Sequence, residues 1–147
     1  MIKIITVGKV KNDNLNKMIN YYLKQIPRKT EIITLKDEPN IDGIKKEALS
    51  ILKQIKDTDY VITLEIKGNN YSSEEFAEKI NEIENVNQGD IVFIIGGSYG
   101  LDSSVSEKSN LKLSFSRMTF PHQLMQLFLV EQVFRAYSII KNHPYHK

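Results

Sequence analysis

Three stretches of this 147-residue chain carry residue types that could do chemistry, and all three follow Ile91. The first is Ile94-Ile95-Gly96-Gly97-Ser98-Tyr99-Gly100-Leu101. Glycines so placed let the backbone turn sharply and let a ligand approach main-chain amides and carbonyls. The G-x-G-x-x-G spacing of a dinucleotide site is absent, and so is the Gly-Lys-Ser/Thr of a phosphate loop. A plain structural turn would use the same residues. The second stretch runs from Leu113 through Ser114, Phe115, Ser116, Arg117, Met118, Thr119, Phe120 and Pro121 to Gln123 and Leu124. Such a loop offers backbone groups to an adenine edge and side chains to an apolar methionine chain. An ordinary strand-to-helix connection is the alternative, with Pro121 placed to help start the helix.

The third stretch is Glu131-Gln132-Val133-Phe134-Arg135-Ala136-Tyr137 with the tail Asn142-His143-Pro144-Tyr145-His146-Lys147. Glu131 and Arg135 stand four apart and can pair on one helix face. A covered Arg135 is either paired in this way or holds an anion. The polar, aromatic and basic tail suits a surface that stacks on bases and holds phosphates; a frayed terminus is its plain reading. His143 and His146 have no acid or cysteine beside them in the tail, so no metal site is expected.

These stretches need a scaffold, and hydrophobic periodicity supplies one. Strands are predicted over Ile2–Val7, Glu31–Leu35, Tyr60–Ile66, Ile91–Ile95 and Leu111–Phe115. Leu15, Met18, Ile19, Tyr22 and Leu23 mark one helix face. A second helix is predicted over Asp42–Ile55, with Ile44, Ala48, Leu52 and Ile55 inward. A third follows the capping box Ser72-Ser73-Glu74-Glu75, with Phe76, Ile80 and Ile83 on its apolar face. A short helix near Ser103–Lys108 and a long one from Gln123 to about Ile140 complete the order. Alternating strands and helices imply an α/β fold, a mostly parallel sheet flanked by helices, in one domain over 1–147. The last helix is apolar around nearly its whole circumference, from Leu124 to Ile140. It must be covered on more than one side, by the chain itself or by a second copy, and a homodimer is the favoured expectation.

Composition narrows the classes. Hydrophobic residues make up 41% and charged residues 26%, the balance of a globular protein. There is no cysteine, which excludes disulfides, thiolate metal sites and cysteine nucleophiles. No signal peptide or membrane span is read, so a cytoplasmic protein is expected. Formal net charge is +2. From Leu111 onward Lys112, Arg117, Arg135, Lys141 and Lys147 face one acid, Glu131, so the positive charge gathers in the segment that also holds all three histidines. Such a concentration can steer phosphates.

Taken together, Phe93–Leu101, Leu113–Gln123 and Glu131–Lys147 resemble the SPOUT-class methyltransferases. Within them the chain is similar to the bacterial family that methylates N3 of a pseudouridine in large-subunit ribosomal RNA. Thr63-Leu64-Glu65-Ile66-Lys67-Gly68 with Ser72–Ala77 matches a further family segment, so the likeness spans the whole chain. The resemblance implies a C-terminal trefoil knot and an S-adenosyl-L-methionine cofactor. It implies cofactor contacts at Leu64, Gly96, Phe115, Ser116, Arg117, Met118, Thr119 and Phe120. It implies a homodimer paired through the knotted region, and ribosomal RNA within the assembled ribosome as substrate. Asn69 stands where the family has lysine, Gln126 where arginine is expected, and Phe134 where tyrosine is usual.

The imide nitrogen N3 must lose a proton before it attacks a sulfonium methyl group, so a cation and a proton acceptor are needed nearby. Arg135 is expected to supply the charge, with Tyr145 and His146 from one subunit's tail completing the other's site. No residue is singled out as the base. A non-catalytic RNA- or ribosome-binding protein of the same fold is the competing reading.

Overall fold

A computed structural model describes residues Met1–Lys147. The elements are β1 (Ile2–Val7), α1 (Asp13–Leu23), β2 (Thr30–Leu35), α2 (Ile44–Leu52), β3 (Tyr60–Asn70), α3 (Ser73–Val86), β4 (Ile91–Ile95), α4 (Ser103–Lys108), β5 (Leu111–Ser114) and α5 (His122–Ile140). The strands form one sheet in the order β2-β1-β4-β3-β5, and every pairing is parallel. The α/β class expected from the sequence is what the chain adopts.

Each central strand is apolar on both faces because both faces are covered. Alternate side chains separate onto the two sides. Ile2, Ile4, Ile62, Ile91, Phe93 and Ile95 join α1, α3 and α5 in the larger core. Ile5, Val7, Val61, Val92 and Ile94 meet α2 and α4 in a smaller one, with Ala48, Ile51 and Val105. Each fully buried isoleucine removes apolar surface worth ~1.5–3 kcal/mol.

Local signals fix the helix starts. The Asn12 side chain accepts from the amides of Asn14 and Leu15 at the head of α1. At α3 the capping box is complete: Ser72 Oγ accepts from the Glu75 amide at 3.0 Å, and Glu75 Oε1 accepts from the Ser72 amide at 2.8 Å.

Four expectations are corrected. The second helix is shorter than Asp42–Ile55: a 3-10 turn over Ile41–Gly43 precedes it, and it ends at Leu52. Beyond Leu52 the carboxylate of Asp59, itself buried, takes the Lys56 amide at 2.8 Å and draws the chain into a turn. Met18, expected inward on α1, is 43% exposed. β5 stops at Ser114 rather than Phe115, where the Ser114 hydroxyl turns to the carbonyls of Ile66 and Ser116. β3 runs past Ile66 to Asn70, interrupted by a bulge: Leu64 and Asn69 both face Leu113 on β5, and 65–68 are thrown outward. Gly68 permits this, because a Cβ there would lie 2.7 Å from the Lys112 carbonyl.

Candidate active site at the carboxyl end of the sheet

The bulge in β3, the turn after β4 and the loop after β5 surround a cleft of about 570 Å³, within the ~300–1,000 Å³ usual for small-molecule sites. It lies where open α/β sheets bind ligands, beyond the carboxyl ends of the strands. One wall is the glycine turn, closed by the Gly100 amide donating to the Gly97 carbonyl at 3.1 Å. A Cβ at Gly96 would meet the Gly100 carbonyl oxygen at 2.8 Å, and Gly100 has φ +78°. The turn therefore needs glycine at both places. A second wall is Leu64–Lys67. The third is the loop after β5, stiffened by Ser116 Oγ accepting from the Met118 amide at 3.0 Å.

Leu64, Gly96, Phe115, Ser116, Met118, Thr119 and Phe120 all line this cleft; Arg117 does not, and its side chain is exposed. The cleft also takes Glu65, Lys67, Leu101, Pro121, His122 and Met125, which the sequence reading did not select. Glu65 and Lys67 stood inside a quoted motif, and Pro121-His122 sat at the predicted helix start, so position was available as a signal while chemistry was not. His122 opens α5, and its Nε2 is buried without a hydrogen-bond partner. Gly8, at φ +98°, leaves room for that ring: a Cβ there would lie 2.8 Å from Nε2.

The tail builds a separate cluster on α5. Arg135 donates from Nε and Nη2 to Glu131 Oε1 at 3.0 and 2.6 Å. The Tyr145 hydroxyl donates to the same oxygen at 2.9 Å. Arg135 Nη1 lies 3.0 Å from His146 Nδ1, and His146 Nε2 lies 2.7 Å from Glu74 Oε1. A guanidinium only donates, so Nδ1 accepts and the ring proton sits on Nε2, toward Glu74. The guanidinium also lies 4.7 Å from the Tyr145 ring centroid. The Glu131 hydrogen bond raises Arg135 above its ordinary value. Burial, helped by hydrogen bonds to Tyr22 and Glu131, pushes the Tyr145 phenol well above its own. The hydrogen bond from His146 lowers Glu74.

Arg135, Tyr145 and His146 are thus brought together, yet none of them lines the cleft. A smaller hollow of about 330 Å³ separates the two regions, bounded by Leu113, Phe115 and Phe120 on the cleft side and by Glu131 and Gln132 on the other. α5 itself packs on α1 and α3, burying Leu129, Val130, Val133, Phe134, Ala136 and Tyr137. Covering by the chain itself therefore accounts for one flank of this helix. Phe128, which packs edge-on against Phe120 of the loop, is 37% exposed, and Met118 in the same loop is 72% exposed. Of the departures, Asn69 faces Leu113 in the sheet, Gln126 is only 5% exposed, and Phe134 packs 4.5 Å from the Tyr145 ring. Position 126 presents little to an outside partner.

The model of the family described as "Predicted SPOUT methyltransferase" matches residues 1–146. The chain belongs to the SPOUT methyltransferase family. It is 55% identical, over 99% of both chains, to the ribosomal RNA large subunit methyltransferase H of Acholeplasma laidlawii. It is 45% identical, again over 99% of both, to the protein of that name from Streptococcus suis. The fold is similar to that of a probable methylase family protein from Haemophilus influenzae, with a TM-score of 0.60 at 14% identity, covering 99% of this chain and 70% of that one. No group of three or more His, Cys, Asp or Glu in this SPOUT chain is placed to hold a metal ion, and no helix is long and apolar enough to cross a membrane.

Proposed function

We propose that this protein is an S-adenosyl-L-methionine-dependent methyltransferase of large-subunit ribosomal RNA, acting on N3 of a pseudouridine in the assembled ribosome. It works in the cytoplasm as a homodimer of single-domain subunits. The observation that carries the reading is the cleft walled by Leu64, Gly96 and the Phe115–Phe120 loop. Its size and its lining fit the cofactor: main-chain groups at a glycine turn for a heterocycle, and Leu113, Phe115, Phe120 and Met125 for an apolar chain.

When bound, the cofactor supplies a methyl group already activated by its sulfonium. The protein's task is alignment and charge. Arg135 offers positive charge toward the imide anion. Tyr145, held neutral by burial, serves as a hydrogen-bond donor rather than a base. His146, whose Nδ1 accepts from Arg135, holds the guanidinium in place. Because the trio lies outside the cleft of its own chain, the tail of one subunit is assigned to the cleft of the other. Exposed Met118 and Phe128 support such pairing, since apolar side chains beside a cleft mouth favour a covering partner. A trefoil threading of the C-terminal part belongs to the same reading. It is supported by the passage of the chain from β5, at the sheet edge, across the strand ends to Gly8 after β1.

The test is methyl transfer from labelled cofactor to intact ribosomes, separated subunits and protein-free ribosomal RNA, with mapping of the modified nucleotide. Label at one pseudouridine N3, on intact ribosomes, is expected. Cofactor binding without transfer to any of the three would replace the enzyme with a ribosome-binding protein of the same fold.

A further inference from the structure

Glu65 is the only acid lining the cleft. It stands where β3 begins to bulge away from β5. The hydroxyl of Thr63, a fully buried residue, donates to Glu65 Oε2 at 2.6 Å. From α4, the Ser106 hydroxyl lies 2.9 and 3.0 Å from the two carboxylate oxygens. None of the chain's ion pairs involves Glu65. The carboxylate is therefore oriented by two neutral donors and left un-neutralised. An ionised carboxylate has about four acceptor positions. Two hydroxyl donors occupy two of them and leave about two for the contents of the cleft.

Position points to what would use them. Leu101 at one end of the cleft packs on the smaller core, and Met125 at the other packs on the larger one. The cleft thus crosses the sheet edge, with Glu65 at the α4 end, beside the glycine turn. A strand-end carboxylate beside a glycine turn can accept from ribose hydroxyls, because two adjacent hydroxyls match its two oxygens. We infer that Glu65 is a binding residue that accepts hydrogen bonds from the vicinal diol of a ribonucleoside, so that the cleft selects the ribo over the deoxyribo form of its adenosine-containing ligand. Thr63 and Ser106 are its positioning residues. The inference rests on the cofactor reading of the cleft.

Calorimetric titration of the intact protein with S-adenosylhomocysteine and with its 2′,3′-dideoxy analogue tests it without turnover. The wild type is expected to bind the diol form about 10- to 100-fold more tightly, the range of a hydrogen bond to a charged group. Glu65→Gln should lose most of that preference while binding the dideoxy form as the wild type does. Ser106→Ala, which keeps the carboxylate but frees one side of it, should lose part of it. Equal affinity of the wild type for both ligands overturns the inference, and that comparison depends on no variant folding. An equal loss for both ligands in Glu65→Gln also overturns it, because the carboxylate would then face some other part of the ligand. Failure of S-adenosylhomocysteine to bind the wild type at all would instead bring down the cofactor reading, and this inference with it.

Discussion

The cleft and the tail cluster are neighbours made by opposite means. The cleft is walled mostly by main chain and apolar side chains, and the buried Nε2 of His122 in its lining has no partner within the chain. The tail cluster is made of charged and hydroxyl-bearing side chains that satisfy one another: Glu131 Oε1 alone accepts from Arg135 and Tyr145. An unsatisfied, preformed hollow is what a ligand can enter, whereas a closed network holds its own shape. Binding and catalysis should therefore come apart when the two regions are altered separately.

The sharpest separation is deletion of Tyr145–Lys147. Methyl transfer to ribosomes should fall on the order of 1,000-fold, in the range lost with a donor that stabilises developing charge, while calorimetric affinity for the cofactor stays unchanged. Unchanged methylation would remove the tail from the mechanism. The converse variant, Gly96→Ala, forces a Cβ to 2.8 Å from the Gly100 carbonyl. Displacement of the turn should cost on the order of 100-fold in transfer and a comparable factor in cofactor affinity. Unaltered binding would mean that Gly96 shapes no cofactor contact.

Smaller effects test the cluster as structure. Glu131→Ala removes the shared acceptor of Arg135 and Tyr145, both partly covered, and should lower stability in urea unfolding by about 1–2 kcal/mol. No change would mark the network as dispensable. The least effect is in the titration of Tyr145. Its phenol is raised by burial, so the contribution is complete below the ordinary tyrosine value of 10.0 and is lost only as pH climbs through the raised one. Ultraviolet titration should show two tyrosines, Tyr137 and Tyr145, ionising above the ordinary tyrosine range, and one fewer in Tyr145→Phe. An unchanged number of high-pH tyrosines in Tyr145→Phe would contradict the docked tail.

Much of the site was legible because glycine, proline and strand-end position leave marks in a sequence. Gly96 follows an apolar strand, and Phe115–Phe120 lies between a strand and a proline, so both could be named before any coordinates. Arg117 stands apart from the cleft lining, since a contiguous run does not say which member turns outward. Glu65 and His122 went unselected because each has its meaning from distant partners: Ser106 for one, Gly8 for the other. The Glu131–Arg135 pair was legible as a helical spacing, but its joining to Tyr145, His146 and Glu74 was not.

What the sequence determined alone was local. Period-two and helical apolar patterns, the capping box at Ser72 and the glycine turn are set by steric and hydrogen-bonding rules acting within a few residues. Tertiary structure decided the rest: that β5 lies outside β3 rather than beside β4, that β3 bulges so that Leu64 and Leu113 share a wall, and that the tail returns to α5. These outcomes depend on which apolar faces find each other across long separations in the chain, and no local rule ranks those choices.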